Sequence, residues 1–248
     1  MPTPRYGDLE RPPLRAAALA AALEPDGWRV EVLDSTGSTN EVVAARARAG
    51  EPAGLCVVAE EQSAGRGRLD RTWVSPPRAG LTFSVLLRPV AAELGWAPLH
   101  GGLAVVRALR TQAGVEAVLK WPNDVLVHDR KVAGLLAEAV DGAVVLGIGL
   151  NVTTRPDELP VETATSLAVE GARTTDRDTL LRALLRALTG TGTDRDAYRE
   201  ACSTIGRPVR MHLPGGDVVE GHAEDVDAQG RLVVDGTPYA AGDVVHVR

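Results

Sequence analysis

Three apolar runs follow one another with very short connections: Val125-Leu126-Val127, Val132 through Val140, and Val144 through Leu150. The turn His128-Asp129-Arg130 separates the first two. A parallel pair needs a crossover of a dozen or more residues, so strands joined this tightly must pair antiparallel. That single feature excludes a doubly wound parallel sheet. It predicts an α+β fold, with a mixed or largely antiparallel sheet packed by helices. The third run alternates glycines, Gly147 and Gly149, which implies that something approaches its backbone closely. Residues 144–152 read either as an exposed edge or as a buried central strand.

The remaining chain supplies the other layers. Residues 1–11 read as a loose arm, and Pro12-Pro13 opens an alanine- and leucine-rich helix ending near Leu23. Trp28 to Val32 alternates like a strand. Ser38 and Glu41 have the spacing of a capping box, and Gly50 is placed to stop the helix between them. Leu55 to Glu60 and Leu81 to Leu87 read as strands, the second stopped by Arg88-Pro89. Leu99, Leu103, Val106 and Leu109 recur at helical spacing up to Ala113, with Gly101 and Gly102 weakening the first turn. Ala117 to Trp121 is a short strand broken by Pro122, and residues 153–175 read as a polar loop. Helices are expected over 178–188 and 194–202. After Gly206 the texture changes to short strands at 209–213, 218–223, 231–234 and 244–247, punctuated by glycine turns. The expected division is a catalytic domain over 1–203 and a small β-barrel-like domain over 204–248.

With aromatics at only 3%, the core must be built from Ala, Val and Leu. A formal net charge of −6 argues against a general nucleic-acid-binding surface. Basic clusters are therefore expected to serve small anions. Cys56 and Cys202 are far apart, and Cys56 sits in an apolar run as a buried, inert thiol. The N-terminus has no signal-peptide apolar region and no apolar run reaches membrane-spanning length, so a soluble, cytoplasmic protein without a membrane partner is expected.

Chemistry concentrates in two polar stretches. Ala64-Gly65-Arg66-Gly67-Arg68-Leu69-Asp70-Arg71-Thr72-Trp73 puts three permanently charged, bidentate donors into a glycine-punctuated loop. Such a loop is poorly suited to packing and well suited to closing over a small anion. It lacks the third glycine of a dinucleotide fingerprint and the Gly-Lys-Ser/Thr ending of a phosphate loop. A solvated basic turn explains it equally well on these residues alone. The second stretch is Lys120-Trp121-Pro122-Asn123-Asp124, followed by Lys131-Val132-Ala133-Gly134. Turn chemistry accounts for Asn123 and Asp124 after proline. It does not account for Lys120 on an apolar strand, where a lysine needs an anionic partner.

Six motifs in register then carry a resemblance: Gly-Ser-Thr-Asn (37–40), Glu-Gln-Ser-Ala-Gly-Arg-Gly-Arg (61–68), Arg-Thr-Trp (71–73), Lys-Trp-Pro-Asn-Asp (120–124), Lys-Val-Ala-Gly (131–134) and Gly-Ile-Gly-Leu-Asn-Val (147–152). Each is weak alone. Together, from about Trp28 to the C-terminus, the chain resembles biotin–protein ligases of the single-function type. The resemblance implies a catalytic domain related to class II aminoacyl-tRNA synthetases and a small SH3-like C-terminal barrel. It implies two steps, with ATP and biotin as substrates and Mg²⁺ assisting: formation of biotinyl-5′-AMP, then transfer to one lysine of a biotin carboxyl carrier domain of a carboxylase.

Carried over position by position, Ser38, Thr39, Asn40, Gln62, Gly65 and Gly134 resemble the family's biotin contacts. Arg66, Gly67 and Arg68 match the loop that covers the adenylate, and this loop is expected to be mobile without ligand. Lys131 matches the lysine at the biotin carboxyl and phosphate. Arg71, Trp73, Lys120, Asn123 and Asn151 fall on the ATP and adenylate side, where Asp124 would hold Mg²⁺ or orient the incoming lysine. Lys131, Arg68, Lys120 and Asp124 are thus the expected catalytic set. Asp70 stands where the family usually has glycine, and an acid there suggests an ion pair with Arg68 or Arg71 that tunes loop opening. An Asp70→Gly variant with unchanged adenylate release and unchanged substrate affinities would sink that idea. The resemblance also allows a lipoate or octanoate ligase, or a non-enzymatic sensor of biotinyl-AMP. About thirty mostly proline- and alanine-rich residues precede the match, so no DNA partner is expected. A monomer or a ligand-dependent homodimer is expected.

Overall fold

The structure is a computed structural model that describes residues 10–69, 71–88, 91–190 and 194–247. The first nine residues of the expected arm, and Pro89, lie outside the described residues. In chain order come helix α1 (Ala16–Leu23), strand β1 (Arg29–Leu33), helix α2 (Thr39–Arg48) and strand β2 (Leu55–Ala59). Strand β3 (Gly80–Leu87) and helix α3 (Ala97–Ala108) follow, then β4 (Val118–Lys120), β5 (Asp124–Val127), β6 (Arg130–Val140) and β7 (Ala143–Asn151). Helices α4 (Arg177–Gly190) and α5 (Arg195–Ala201) lead to the C-terminal strands β8 (Arg207–His212), β9 (Val218–Val226), β10 (Leu232–Val234), β11 (Thr237–Tyr239) and β12 (Asp243–His246).

The seven-stranded sheet has the order β1-β2-β3-β7-β6-β5-β4. Only β1 and β2 pair in parallel, because α2 crosses over between them; every other neighbour is antiparallel. His128 and Asp129 turn β5 into β6 with positive φ at both positions, the geometry a two-residue hairpin turn requires. Strand β7 is central, between β3 and β6, so the expectation of a possible edge there is corrected.

Strand periodicity builds the layers. On β2, Cys56 and Val58 face the larger core with α1, α3 and α4, whereas Leu55 and Val57 face α2 through Val43 and Ala47. Cys56 is fully buried, and burial pushes its thiol well above the usual range, as expected of an inert cysteine. Both cysteines are free.

The expected helix over 99–113 starts two residues earlier and loosens into a π-turn, Leu109–Ala113, closed by Gly114 at positive φ. Gly101 and Gly102 prove to be packing residues. A Cβ on Gly101 would lie 2.7 Å from Leu135 and one on Gly102 would lie 2.8 Å from Leu119, so their absence lets α3 settle on the sheet. The expected capping box is absent. Ser38 occupies the N-cap position without a side-chain bond, and the backbone N–H of Thr39 donates instead to Gln62 Oε1 at 2.7 Å. The loop after β2 runs beside residues 36–37 and supplies that acceptor from a distance in sequence. Pro12-Pro13 precede rather than open α1, which starts after Arg15.

The C-terminal strands form a five-stranded antiparallel sheet, β11-β10-β9-β8-β12, whose strand β11 was not expected although the Asp235-Gly236 turn leads into it. Its inner residues, among them Val209, Met211, Leu232 and Val244, are continuous with the main core. Two tryptophans bond the units together: Trp96 Nε1 donates to the carbonyl of Ala228 and Trp121 Nε1 to that of Gly230, both at 3.1 Å. No helix among the described residues is long and apolar enough to cross a membrane.

Candidate active site

A cleft opens over the middle of the main sheet. Strands β3, β6 and β7 form its floor, on the face that carries Thr82, Leu136, Gly147 and Gly149. The start of α2 forms one side, residues 66–69 and 71–73 the other, and Asn123, Asp124 and Lys131 one end. Gly147 and Gly149 explain their spacing here. A side chain on Gly147 would collide with the amide of Asn40, and one on Gly149 with the indole of Trp73. The groups that approach the backbone closely are therefore the protein's own site residues.

One side of the cleft is a buried polar strip. Thr39 Oγ1 lies 3.0 Å from Gln62 Oε1 and 2.7 Å from Ser84 Oγ, and Ser84 Oγ lies 2.6 Å from Asn40 Oδ1. Asn40 Nδ2 donates to Glu138 Oε2 at 2.7 Å, and the other oxygen of Glu138 pairs with Arg66 at 3.1 Å. Ser84 and Glu138 were not singled out in the sequence. A lone serine inside the apolar run 81–87 was the available signal for the first.

The opposite side is cationic. Residues 65–69 and 71–73 pair as a hairpin: Gly67 N–H donates to the Arg71 carbonyl at 2.7 Å and Trp73 N–H to that of Gly65 at 2.9 Å. Arg68 reaches Asn123 Oδ1 at 3.0 Å, and burial pulls its pKa below the usual guanidinium value. Arg71 pairs with Asp243, at the start of β12. Burial opposes ionisation of Asp243, but the Arg71 hydrogen bond and the charges of Arg71, Lys120 and Arg68 hold its carboxyl below the usual range. Lys131 lies 2.6 Å from Asp124 Oδ1, in an ion pair whose alignment leaves that buried oxygen without a hydrogen bond. The ammonium also stands 5.9 Å from the centre of the Trp73 ring.

Most of the residues expected from the sequence line this cleft: Ser38, Thr39, Asn40 and Gln62 on the strip, Arg66, Gly67, Arg68, Arg71 and Trp73 on the hairpin, and Asn123, Asp124, Lys131 and Gly134 at the end. Three do not. Gly65 closes the hairpin's mouth, where a side chain would collide with the Trp73 carbonyl. Lys120 ends β4, and its charge acts on Asp243 and His246. Asn151 is buried and donates to the Thr165 carbonyl at 2.9 Å, so it props the loop beside Lys131. The ion pair expected of Asp70 lies outside the described residues. Asp243 was unforeseen because only tertiary structure brings β12 to the hairpin.

Residues 32–154 match the biotin/lipoate A/B protein ligase family, and residues 204–247 match the biotin protein ligase C-terminal domain. The chain is 43% identical to the biotin–[acetyl-CoA-carboxylase] ligase of Mycobacterium tuberculosis, over 97% of this chain and 98% of that one. It is 32% identical to the bifunctional ligase/repressor BirA of Escherichia coli, over 88% of this chain and 74% of that protein. Among solved structures, the biotin protein ligase of Aquifex aeolicus in complex with biotin and ATP superposes with a TM-score of 0.70 at 28% identity, covering 88% of this chain and 98% of that one.

Proposed function

Because this chain belongs to the biotin protein ligase family, we propose that it activates biotin with ATP and transfers it to a lysine of a carboxylase's biotin carboxyl carrier domain. In the first step a biotin carboxylate oxygen bonds to the α-phosphorus of ATP and pyrophosphate leaves. In the second, the acceptor ε-amine attacks the biotinyl carbonyl, loses a proton, and AMP leaves. The observation that carries this reading is the division of one cleft into a neutral polar strip and a cationic wall. The strip, through Thr39, Asn40 and Gln62, suits the ring of biotin. The wall meets the chemical problem, which is to bring two anions together.

Arg66, Arg68 and Lys131 offset that repulsion and stabilise the charge that gathers on the transferring phosphate. Arg68 is already partly desolvated, which strengthens its attraction to a phosphate. Trp73 and Gly134 shape the place Lys131 occupies. Lys120 and Asn123 stand on the nucleotide side, and we place Asn151 behind it as a support. The residues also fit Mg²⁺. Asp124 presents a carboxylate at the end of the cleft, paired through Oδ1 with Lys131, and Mg²⁺ characteristically takes one or two carboxylates and completes its shell with water and substrate phosphates. Asp124 would hold the ion, which supplies neutralising charge beside the phosphates.

The hairpin is tied down by a few polar contacts, and we propose that it opens to admit substrates and closes over the adenylate. The boundary between the catalytic unit, 1–203, and the C-terminal unit, 204–248, follows the change from one sheet to the other. We place the reaction in the cytoplasm, with no DNA partner, by a monomer or a ligand-dependent homodimer.

The test is transfer of labelled biotin, with ATP and Mg²⁺, to a purified carrier domain and to the same domain with its acceptor lysine changed to arginine. Transfer to the first only is expected. Retention of biotinyl-AMP without transfer would point to a sensor, and no biotin binding would direct the assay to lipoate and octanoate.

A further inference from the structure

The polar strip has fewer hydroxyl hydrogens than oxygen–oxygen contacts. Gln62 Oε1 is fixed as an acceptor, because it takes the Thr39 backbone N–H at 2.7 Å. Asn40 Oδ1 is fixed as an acceptor at the other end, because Asn40 Nδ2 faces Glu138 Oε2 at 2.7 Å and the Leu136 carbonyl at 3.4 Å. Between these two acceptors lie three oxygen–oxygen contacts: Gln62 to Thr39, Thr39 to Ser84, and Ser84 to Asn40. Thr39 and Ser84 have one hydroxyl hydrogen each, so two hydrogens must serve three contacts. Ser84 is fully buried, Thr39 is 2% exposed and Asn40 is 4% exposed, so bulk water does not make up the shortage.

With Asn40 Oδ1 accepting, Ser84 donates to Asn40 and Thr39 donates to Ser84, so the Thr39–Gln62 contact is the one without a hydrogen and Gln62 Oε1 keeps a lone pair free for a ligand N–H. The ring of biotin is a cyclic urea and carries two N–H groups. Resting on the ligase reading of this cleft, we propose that Glu138 is a positioning residue that keeps this lone pair free and so sets biotin affinity. Its carboxylate accepts only. It therefore holds the Asn40 amide with nitrogen outward and oxygen toward Ser84, and it acts through Asn40 rather than by touching substrate. Its second oxygen is occupied by Arg66, which fixes the carboxylate in place.

Glu138→Gln inverts the arrangement at almost constant shape. A glutamine can donate its amide N–H to the oxygen of a turned Asn40, while its own oxygen still accepts from Arg66. Asn40 Nδ2 then donates to Ser84, Ser84 to Thr39, and Thr39 to Gln62. Gln62 Oε1 then accepts both the Thr39 N–H and the Thr39 hydroxyl and has no lone pair left for a ligand. The variant is thus expected to bind biotin more weakly while the unliganded protein is no less stable, a combination that loss of a merely structural ion pair would not produce.

The experiment is calorimetric titration of the full chain with biotin alone, together with the unliganded thermal midpoint. Glu138→Gln should raise the biotin Kd by about tenfold or more, the effect of one buried polar group left mismatched, with a midpoint equal to or above wild type. The same loss should persist when Glu138→Gln is made in an Arg66→Ala background, where the Arg66 contact no longer contributes. A Kd within about twofold of wild type, a lowered midpoint accompanying the weaker binding, or disappearance of the effect in the Arg66→Ala background would each overturn the proposal. A wild-type chain that binds no biotin overturns the ligase reading itself, and is told apart by failing before any variant is compared.

Discussion

Lys131→Ala is expected to slow pyrophosphate release from ATP in the presence of biotin by about 10²–10³-fold, the usual cost of removing one preorganised charge from a developing anion. The ammonium sits where carboxylate and phosphate must meet, held between Asp124 at 2.6 Å and the face of Trp73. Its side chain is 35% exposed and that of Asp124 is 23% exposed, so the two charges remain hydrated and the fold should survive the loss. Lys131→Arg should not rescue the rate. A planar guanidinium needs more width than a compact ammonium, and the lysine is already packed against Gly134 and Trp73. Pyrophosphate release measured under single-turnover conditions checks both variants. A rate for Lys131→Ala within about tenfold of wild type would remove Lys131 from the reaction.

The second large effect lies away from the chemistry. Glu60 and Arg177 form an ion pair at 2.6 Å with side chains only 6% and 5% exposed. The other oxygen of Glu60 accepts the Leu14 backbone N–H at 2.6 Å, and Arg177 also donates to the Pro12 carbonyl at 2.7 Å. Glu60 thus ties the entry to α1, the start of α4 and the end of β2 at one point. Glu60→Ala leaves a guanidinium buried without a counter-charge, which costs about 3–5 kcal/mol. Chemical denaturation should show a loss of unfolding free energy of that size, as a lower midpoint at an unchanged slope. The paired change of Glu60 and Arg177 to apolar residues of similar volume should recover most of the loss, since the pair gains little over a well-packed apolar contact. A single variant as stable as wild type would show that water reaches the pair.

The two results would separate what local sequence encodes from what assembly creates. Lys131 could be read as a site residue because its neighbours form a motif at fixed spacing, and motif chemistry is local. Glu60 ends an apolar strand and Arg177 starts a helix more than a hundred residues later; nothing near either one names the other. Asp243 is the same case inside the site, since strand β12 reaches Arg71 only after the C-terminal sheet docks through Trp96 and Trp121. Ser38 went the other way. Its spacing to Glu41 predicts a capping box, yet Gln62 takes the role, because a loop running alongside offered a better-placed acceptor. Glycines at 101 and 102 read as helix weakeners and serve as clearance for α3, a judgement that requires knowing what lies opposite.

By itself the sequence determined the antiparallel core of the main sheet, the change to a second β unit after Gly206, and most of the residues that line the cleft. Each of these depends on hydrophobic period, turn length or residue type within a short window, where the physics acts between near neighbours. Only the tertiary structure decided the parallel pairing of β1 with β2, the central place of β7, and the partners Ser84, Glu138 and Asp243 that set hydrogen-bond direction and charge in the site. Those depend on which groups meet across long loops. Burial then makes the pairing consequential, because a polar group sealed from water must find its complement in whatever the fold brings beside it.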